Sequence, residues 1–263
     1  MSRRYVIQPR NQHEKDFLGI LENIKPSKNS YEVFNDWLIM SSISLYNVYA
    51  KDPALEENYL EIANQYKKEE VDKLCKLSAI TIEALEKTGQ DFLGEIFSII
   101  EMNNKRTGQY FTPYNVSLMM GKMMVGDSEP PKTHVCKISD PCCGAGGMLI
   151  AAAMAMKERG LNFQDVLFVG EDIDARCARM AFIQLYLLGV PALIICGNSL
   201  TFETYWEMKT IGYYLADMDI RLRAERMLEI IKGLGSEPAE AQEEKPSAEI
   251  VIPQKELAQG ELF

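Results

Sequence analysis

The chain has 263 residues, 28 Lys and Arg against 38 Asp and Glu, and a formal net charge of -10. Its hydrophobic fraction of 47% and charged fraction of 25% are those of a chain that buries a core. No apolar run approaches the roughly 20 residues that span a bilayer, and the basic start lacks the apolar stretch of a secretory signal. The acidic balance argues against strong independent binding to duplex phosphates. Six cysteines and two histidines show neither a CxxC pair nor ligand spacing, so a reducing cytoplasm and no structural metal are expected.

In chain order, the first hundred residues predict helices. From Tyr31 to Ala50 the apolar positions Val33, Phe34, Trp37, Leu38, Ile43, Leu45 and Val48 recur closer to a 3.6 than a 2.0 period. Asp52-Pro53 punctuates the chain, and a second helix is expected from Leu55 onward, running on to Cys75. Leu77–Lys87 continues the pattern until Thr88-Gly89 stops it. Asp91 is placed to cap a further helix beginning at Phe92. A polar loop precedes Gln109-Tyr110-Phe111-Thr112-Pro113, where the proline forces Thr112 out of the helical region. The next helix, about 115–124, carries Met119, Met120, Met123 and Met124, which read as core packing.

From His134 the pattern changes. Short strands at 135–139, 166–169 and 192–196 alternate with helices at 148–157 and 174–188. That alternation predicts a parallel sheet with crossover helices, and right-handed crossovers give the order 3-2-1. The fold class is therefore α/β: a partial Rossmann-like sheet preceded by an all-helical N-terminal region. A weak fourth strand is expected at Thr210–Leu215, and a charged helix at Asp217–Lys232. Beyond Ser236 seven glutamates face two lysines, a composition that predicts a disordered acidic tail. The expected organisation is 1–106 helical, 107–233 sheet domain and 234–263 tail.

The most informative stretch is Asp140-Pro141-Cys142-Cys143-Gly144-Ala145-Gly146-Gly147, directly after the first strand. Ligands of open α/β sheets bind at such carboxyl ends. A nicotinamide-type GxGxxG fails because position 149 is Leu149. The carboxylate of Asp140 suits a cationic group better than a pyrophosphate. The second strand leads into Glu171-Asp172-Ile173-Asp174. Asp172 is assigned to ribose hydroxyls, Ile173 to the face of a base, and Asp174 to the cap of the next helix. Asn198, at the third strand end, is placed to meet an adenine edge. The three strand ends describe an adenosine bearing a positive group, and S-adenosylmethionine is such a molecule.

Gly108-Gln-Tyr-Phe-Thr-Pro113 followed by Asp140–Gly147 resembles the adenine-N6 DNA methyltransferases, specifically modification subunits of type I restriction–modification systems. The segment Asp91–Phe97 resembles the family's lead into the QYFTP loop, and the likeness extends from Asp91 to Ser199. It implies that Phe111, Thr112 and Pro113 hold the methionine end of S-adenosylmethionine. It implies equally that Asp140, Pro141, Gly144 and Gly146 wrap the donor and that Asp172 binds the ribose. Asn198 stands where the family more often has Asp. The family's catalytic Asn/Asp/Ser-Pro-Pro-aromatic motif, which accepts hydrogen bonds from the target amine and stacks on the flipped base, does not occur between Leu200 and Phe263. No catalytic residue is assigned.

Three functions fit this reading. One is an adenine-specific DNA methyltransferase, acting alone or with a partner that supplies the catalytic loop and the specificity. Another is an inactive methyltransferase-derived regulatory or decoy subunit. The last is a sliding-clamp adaptor, because Gln259, Leu262 and Phe263 form a Gln-x-x-Leu-Phe ending similar to clamp-docking peptides.

Overall fold

The computed structural model describes residues 8–104, 112–125, 130 and 134–235. The chain divides into two compact units, Met1–Glu225 and Arg226–Phe263. Within the first, five helices precede the glycine-rich region: α1 (Gln12–Leu21), α2 (Ser30–Ala50), α3 (Pro53–Ala63), α4 (Lys68–Thr88) and α5 (Phe92–Asn104). Their ends follow local chemistry. Asn29 and Glu32 form a reciprocal capping box on α2, and Pro53 opens α3 behind the Asp52 cap. Asp91 caps α5 by accepting from the Gly94 N–H at 2.9 Å. The expected single helix through Cys75 is instead broken at Asn64–Lys67, and α4 runs unbroken to Gly89, which adopts φ +59°.

Next come α6 (Tyr114–Met124), β1 (Cys136–Asp140), α7 (Gly147–Glu158), β2 (Val166–Asp172), α8 (Ala175–Leu187), β3 (Ala192–Asn198) and β4 (Glu203–Lys209). α9 (Ile211–Leu215) and α10 (Met218–Gly235) follow. The sheet order is β1-β2-β3-β4. β1, β2 and β3 are parallel, in the order the crossover rule requires.

The fourth strand corrects the sequence reading. It lies at Glu203–Lys209, not at 210–215, and pairs antiparallel with β3 as a hairpin. Trp206 and Met208 pack into the main core, a period-2 signal the sequence already carried. The Thr-Ile-Gly-Tyr-Tyr-Leu segment is helical because Thr210 is spent on a turn. Its hydroxyl donates to the Val190 carbonyl at 2.6 Å and accepts from the Ala192 N–H at 2.8 Å.

Alternation on the strands defines two apolar layers. Val166 and Phe168 of β2, with Ala192 and Ile194 of β3, join α7 and α8 in one core. That core continues outward into α1–α5, so helical region and sheet share one interior. Leu167 of β2 faces the other way, onto Tyr213 and Met218. α9 and the start of α10 thus cover the second sheet face. β1 is an edge strand, and among the described residues no strand pairs with its outer side.

The methionines of α6 depart from expectation. Its buried face is Tyr114, Ser117 and Gly121, set against α7. Met119, Met120, Met123 and Met124 are 45% to 78% exposed. The small residues permit the close approach of helix to helix, and this turns the bulky methionines outward.

Candidate functional site

The glycine loop is held in place by backbone geometry. Gly144 and Gly146 adopt φ +54° and +88°, the left-handed region that costs other residues roughly 1–2 kcal/mol. A Cβ on Gly146 would also stand 3.1 Å from the Ala181 Cβ of α8. The Cys143 N–H donates to the Glu171 carbonyl at 2.9 Å, and the Gly144 N–H donates to Asp172 Oδ2 at 2.9 Å. The loop is thereby tied to the end of β2.

A buried amide braces it from behind. Gln184 on α8 is fully buried. Its Oε1 accepts from the Leu93 N–H at 3.0 Å, while its Nε2 donates to Asp91 Oδ1 at 2.8 Å and to the Ala145 carbonyl at 2.9 Å. Three segments far apart in sequence, at 91–93, 145 and 184, are locked together by one side chain.

In front of the loop lies a cavity of about 330 Å³ lined by Asp91, Thr112, Ser117, Asp140, Cys142, Cys143, Gly144, Gly147, Met148, Asp172 and Cys177. Its volume is at the lower end of small-ligand sites, about 300–1,000 Å³. Three carboxylates line it, from Asp91, Asp140 and Asp172, and among the described residues no Lys, Arg or His does. Burial pushes the Asp172 carboxyl above the usual carboxylate range. The Asp174 and Gly144 N–H groups pull it back, and the charges of Asp174 and Asp140 push it up. Burial raises Asp91 as well, against the hydrogen bonds from Gln184 and Gly94. Burial, reinforced by the charge of Asp172, also raises the Cys143 and Cys177 thiols, which keeps both protonated. All six cysteines are free thiols. Among the described residues no group of three His, Cys, Asp or Glu is arranged to hold a metal.

The cavity brings together Thr112, Asp140, Gly144 and Asp172 of the residues singled out from sequence. Asp172 Oδ1 accepts from the Asp174 N–H at 2.8 Å, so each of its oxygens holds one loop N–H and keeps a lone-pair site free. Pro113 is exposed at the start of α6, and Pro141 is exposed in the loop. Gly146 is turned against α8. Ile173 is 60% exposed and does not line the cavity. Asn198 is used by its own turn, accepting from the Leu200 N–H at 3.0 Å. Asp174 caps α8 by accepting from the Arg176 N–H at 2.9 Å, as expected. Phe111, Gln259, Leu262 and Phe263 lie outside the described residues. Sequence reasoning missed Ser117, Met148 and Cys177, and it gave Asp91 only a capping role. Ser117 had no local signal, since it sits inside a methionine-rich helical pattern.

The glycine cradle, the acidic lining and the acidic residue ending β2 thus converge on one cleft at the strand ends. The N-6 DNA Methylase family model matches residues 88–218. The chain is also similar to the type I restriction enzyme MjaIX methylase subunit of Methanocaldococcus jannaschii, at 22% identity over 172 residues. That match covers 65% of this chain but only 28% of the archaeal subunit. A solved type I restriction–modification methyltransferase subunit from Streptococcus thermophilus aligns over 68% of this chain and 56% of its own, at 12% identity and a TM-score of 0.36.

Proposed function

We propose that this chain binds S-adenosylmethionine in the cleft at the ends of β1 and β2 and forms the donor-holding part of an adenine-N6 DNA methylase. The carrying observation is the lining: three carboxylates and, among the described residues, no basic side chain around a glycine cradle. A phosphate-bearing cofactor would meet uncompensated negative charge there. A sulfonium nucleoside with an ammonium group meets attraction instead, and supplies an electrophilic methyl group when bound. Asp172 accepts the ribose hydroxyls, and Asp140 and the Gly144–Gly146 backbone enclose the donor. Thr112, which lines the cavity, stands at its methionine end.

The chain spans 28% of the archaeal relative, and its residues after β3 carry no Pro-Pro-aromatic motif. The strand after β3 is an antiparallel hairpin, so no parallel strand end presents a catalytic loop beside β1 among the described residues. The hydrogen-bond acceptors for the adenine amine, and the sequence specificity, therefore lie beyond the described residues. A net charge of -10 over these residues disfavours firm contact with DNA phosphates. A reading in which the family sheet persists as an inactive regulatory subunit shares the same donor site and differs only in turnover.

Calorimetric titration tests the donor site. S-adenosylmethionine should give a saturable heat and ATP none, and Asp140→Ala should weaken the donor at least about tenfold by removing a facing charge. No heat with the donor, or equal heat with ATP, overturns the reading. A tritiated-methyl assay on adenine-containing DNA should show no transfer by this chain alone. Transfer would assign it the full reaction.

A further inference from the structure

Two polar oxygens in the cleft form no hydrogen bond among the described residues. Ser117 is 1% exposed, lines the cavity, and its Oγ has no hydrogen-bond partner among the described residues. A buried hydroxyl left unpaired costs about 1–3 kcal/mol. Asp91 is 6% exposed. Its Oδ1 is spent on the Gly94 N–H and the Gln184 amide, while no hydrogen bond to its Oδ2 is formed among the described residues. That second oxygen stands at the first residue of α7, where a Cβ on Gly147 would lie 2.9 Å from it.

We propose that Asp91 Oδ2 and Ser117 Oγ form an ammonium subsite that reads the α-amino group of the bound donor. This deepens, and rests on, the reading of the cleft as a sulfonium-nucleoside site. A sulfonium offers no N–H, so it cannot satisfy an empty hydroxyl acceptor. The donor's carboxylate would be repelled by Asp91. An ammonium carries three N–H donors and one positive charge, which match one charged and one neutral acceptor. Asp140 and Asp172 remain for the sulfonium and ribose, so each carboxylate answers a different group of one ligand.

The test compares three ligands on the full chain by calorimetry: S-adenosylmethionine, an analogue with a keto group in place of the amine, and the decarboxylated analogue, which keeps the amine. The unaltered chain should prefer either amine-bearing ligand over the keto analogue by about tenfold or more. Asp91→Asn keeps the Oδ1 acceptor that caps α5, and should remove that preference while leaving keto-analogue affinity unchanged. Ser117→Ala removes only an unpartnered hydroxyl and should cut the preference a few-fold. It decides the matter alone if Asp91→Asn does not fold. Equal binding of amine and keto ligands by the unaltered chain, or losses falling equally on all three ligands, overturns the subsite and leaves the donor reading intact. No heat from any of the three removes the donor reading and the subsite with it.

Discussion

The helical layer and the donor cleft are built by opposite rules. In the layer, Phe17 sits edge-on to Phe34, Trp37 and Phe92 at centroid separations of 6.1, 5.4 and 5.7 Å. The ring is fully buried and dry. In the cleft, two glycines sit in the left-handed region, and among the described residues a hydroxyl is unpaired and carboxylates gather without counter-charge. One region gains stability from every contact, and the other gives stability up for a site that is complete only with a ligand. The shared core lets the first support the second.

The largest effect should come from breaking the dry side. Phe17→Ala should cost about 3–5 kcal/mol in denaturant unfolding, by lost burial and a residual cavity. The fraction that remains folded should bind S-adenosylmethionine as before. If donor affinity falls in step, the two regions are not separable in this way.

Gly146→Val attacks the other side. A positive φ and a Cβ 3.1 Å from Ala181 should cost about 2–4 kcal/mol together and abolish donor binding. Retained calorimetric heat would show that the loop is not the cradle.

A smaller effect sharpens the electrostatic half of the contrast. Asp91 and Asp172 both take up protons more readily folded than unfolded, because burial raises their carboxyls. Their stabilising protonation is present in full below the ordinary carboxylate range and is lost as pH rises through the raised folded values. Calorimetric melting of the free chain should therefore show these groups lowering Tm from mildly acidic pH toward neutrality. Asp91→Asn should flatten that slope and raise Tm at neutral pH, even while it weakens the donor. The smallest effect is expected on α6, where Met123→Lys at a 78% exposed position should change stability by no more than about 0.5 kcal/mol. A larger loss would mean that the outward methionine face is covered in solution.

Local chemistry carried much of the architecture. Strand and helix alternation from 135 to 198, the 3-2-1 order and the caps at Asp91 and Asp174 depend on hydrophobic period, chain handedness and near-neighbour hydrogen bonds, all of which are written in short stretches of sequence. The glycine loop was legible because only glycine takes its backbone angles cheaply. What tertiary structure alone decided depends on residues far apart. Whether Thr210 ends a strand or turns the chain was settled by carbonyls at 190 and 192. Whether the α6 methionines faced in or out was settled by Gly121, where an added Cβ would stand 3.0 Å from the Ala151 backbone. The acidic cleft itself, with Asp91, Ser117, Asp140 and Asp172 around one space, exists only after α5, α6, β1 and β2 are packed. A charge acquires its meaning from what burial removes around it, and burial is a property of the whole fold.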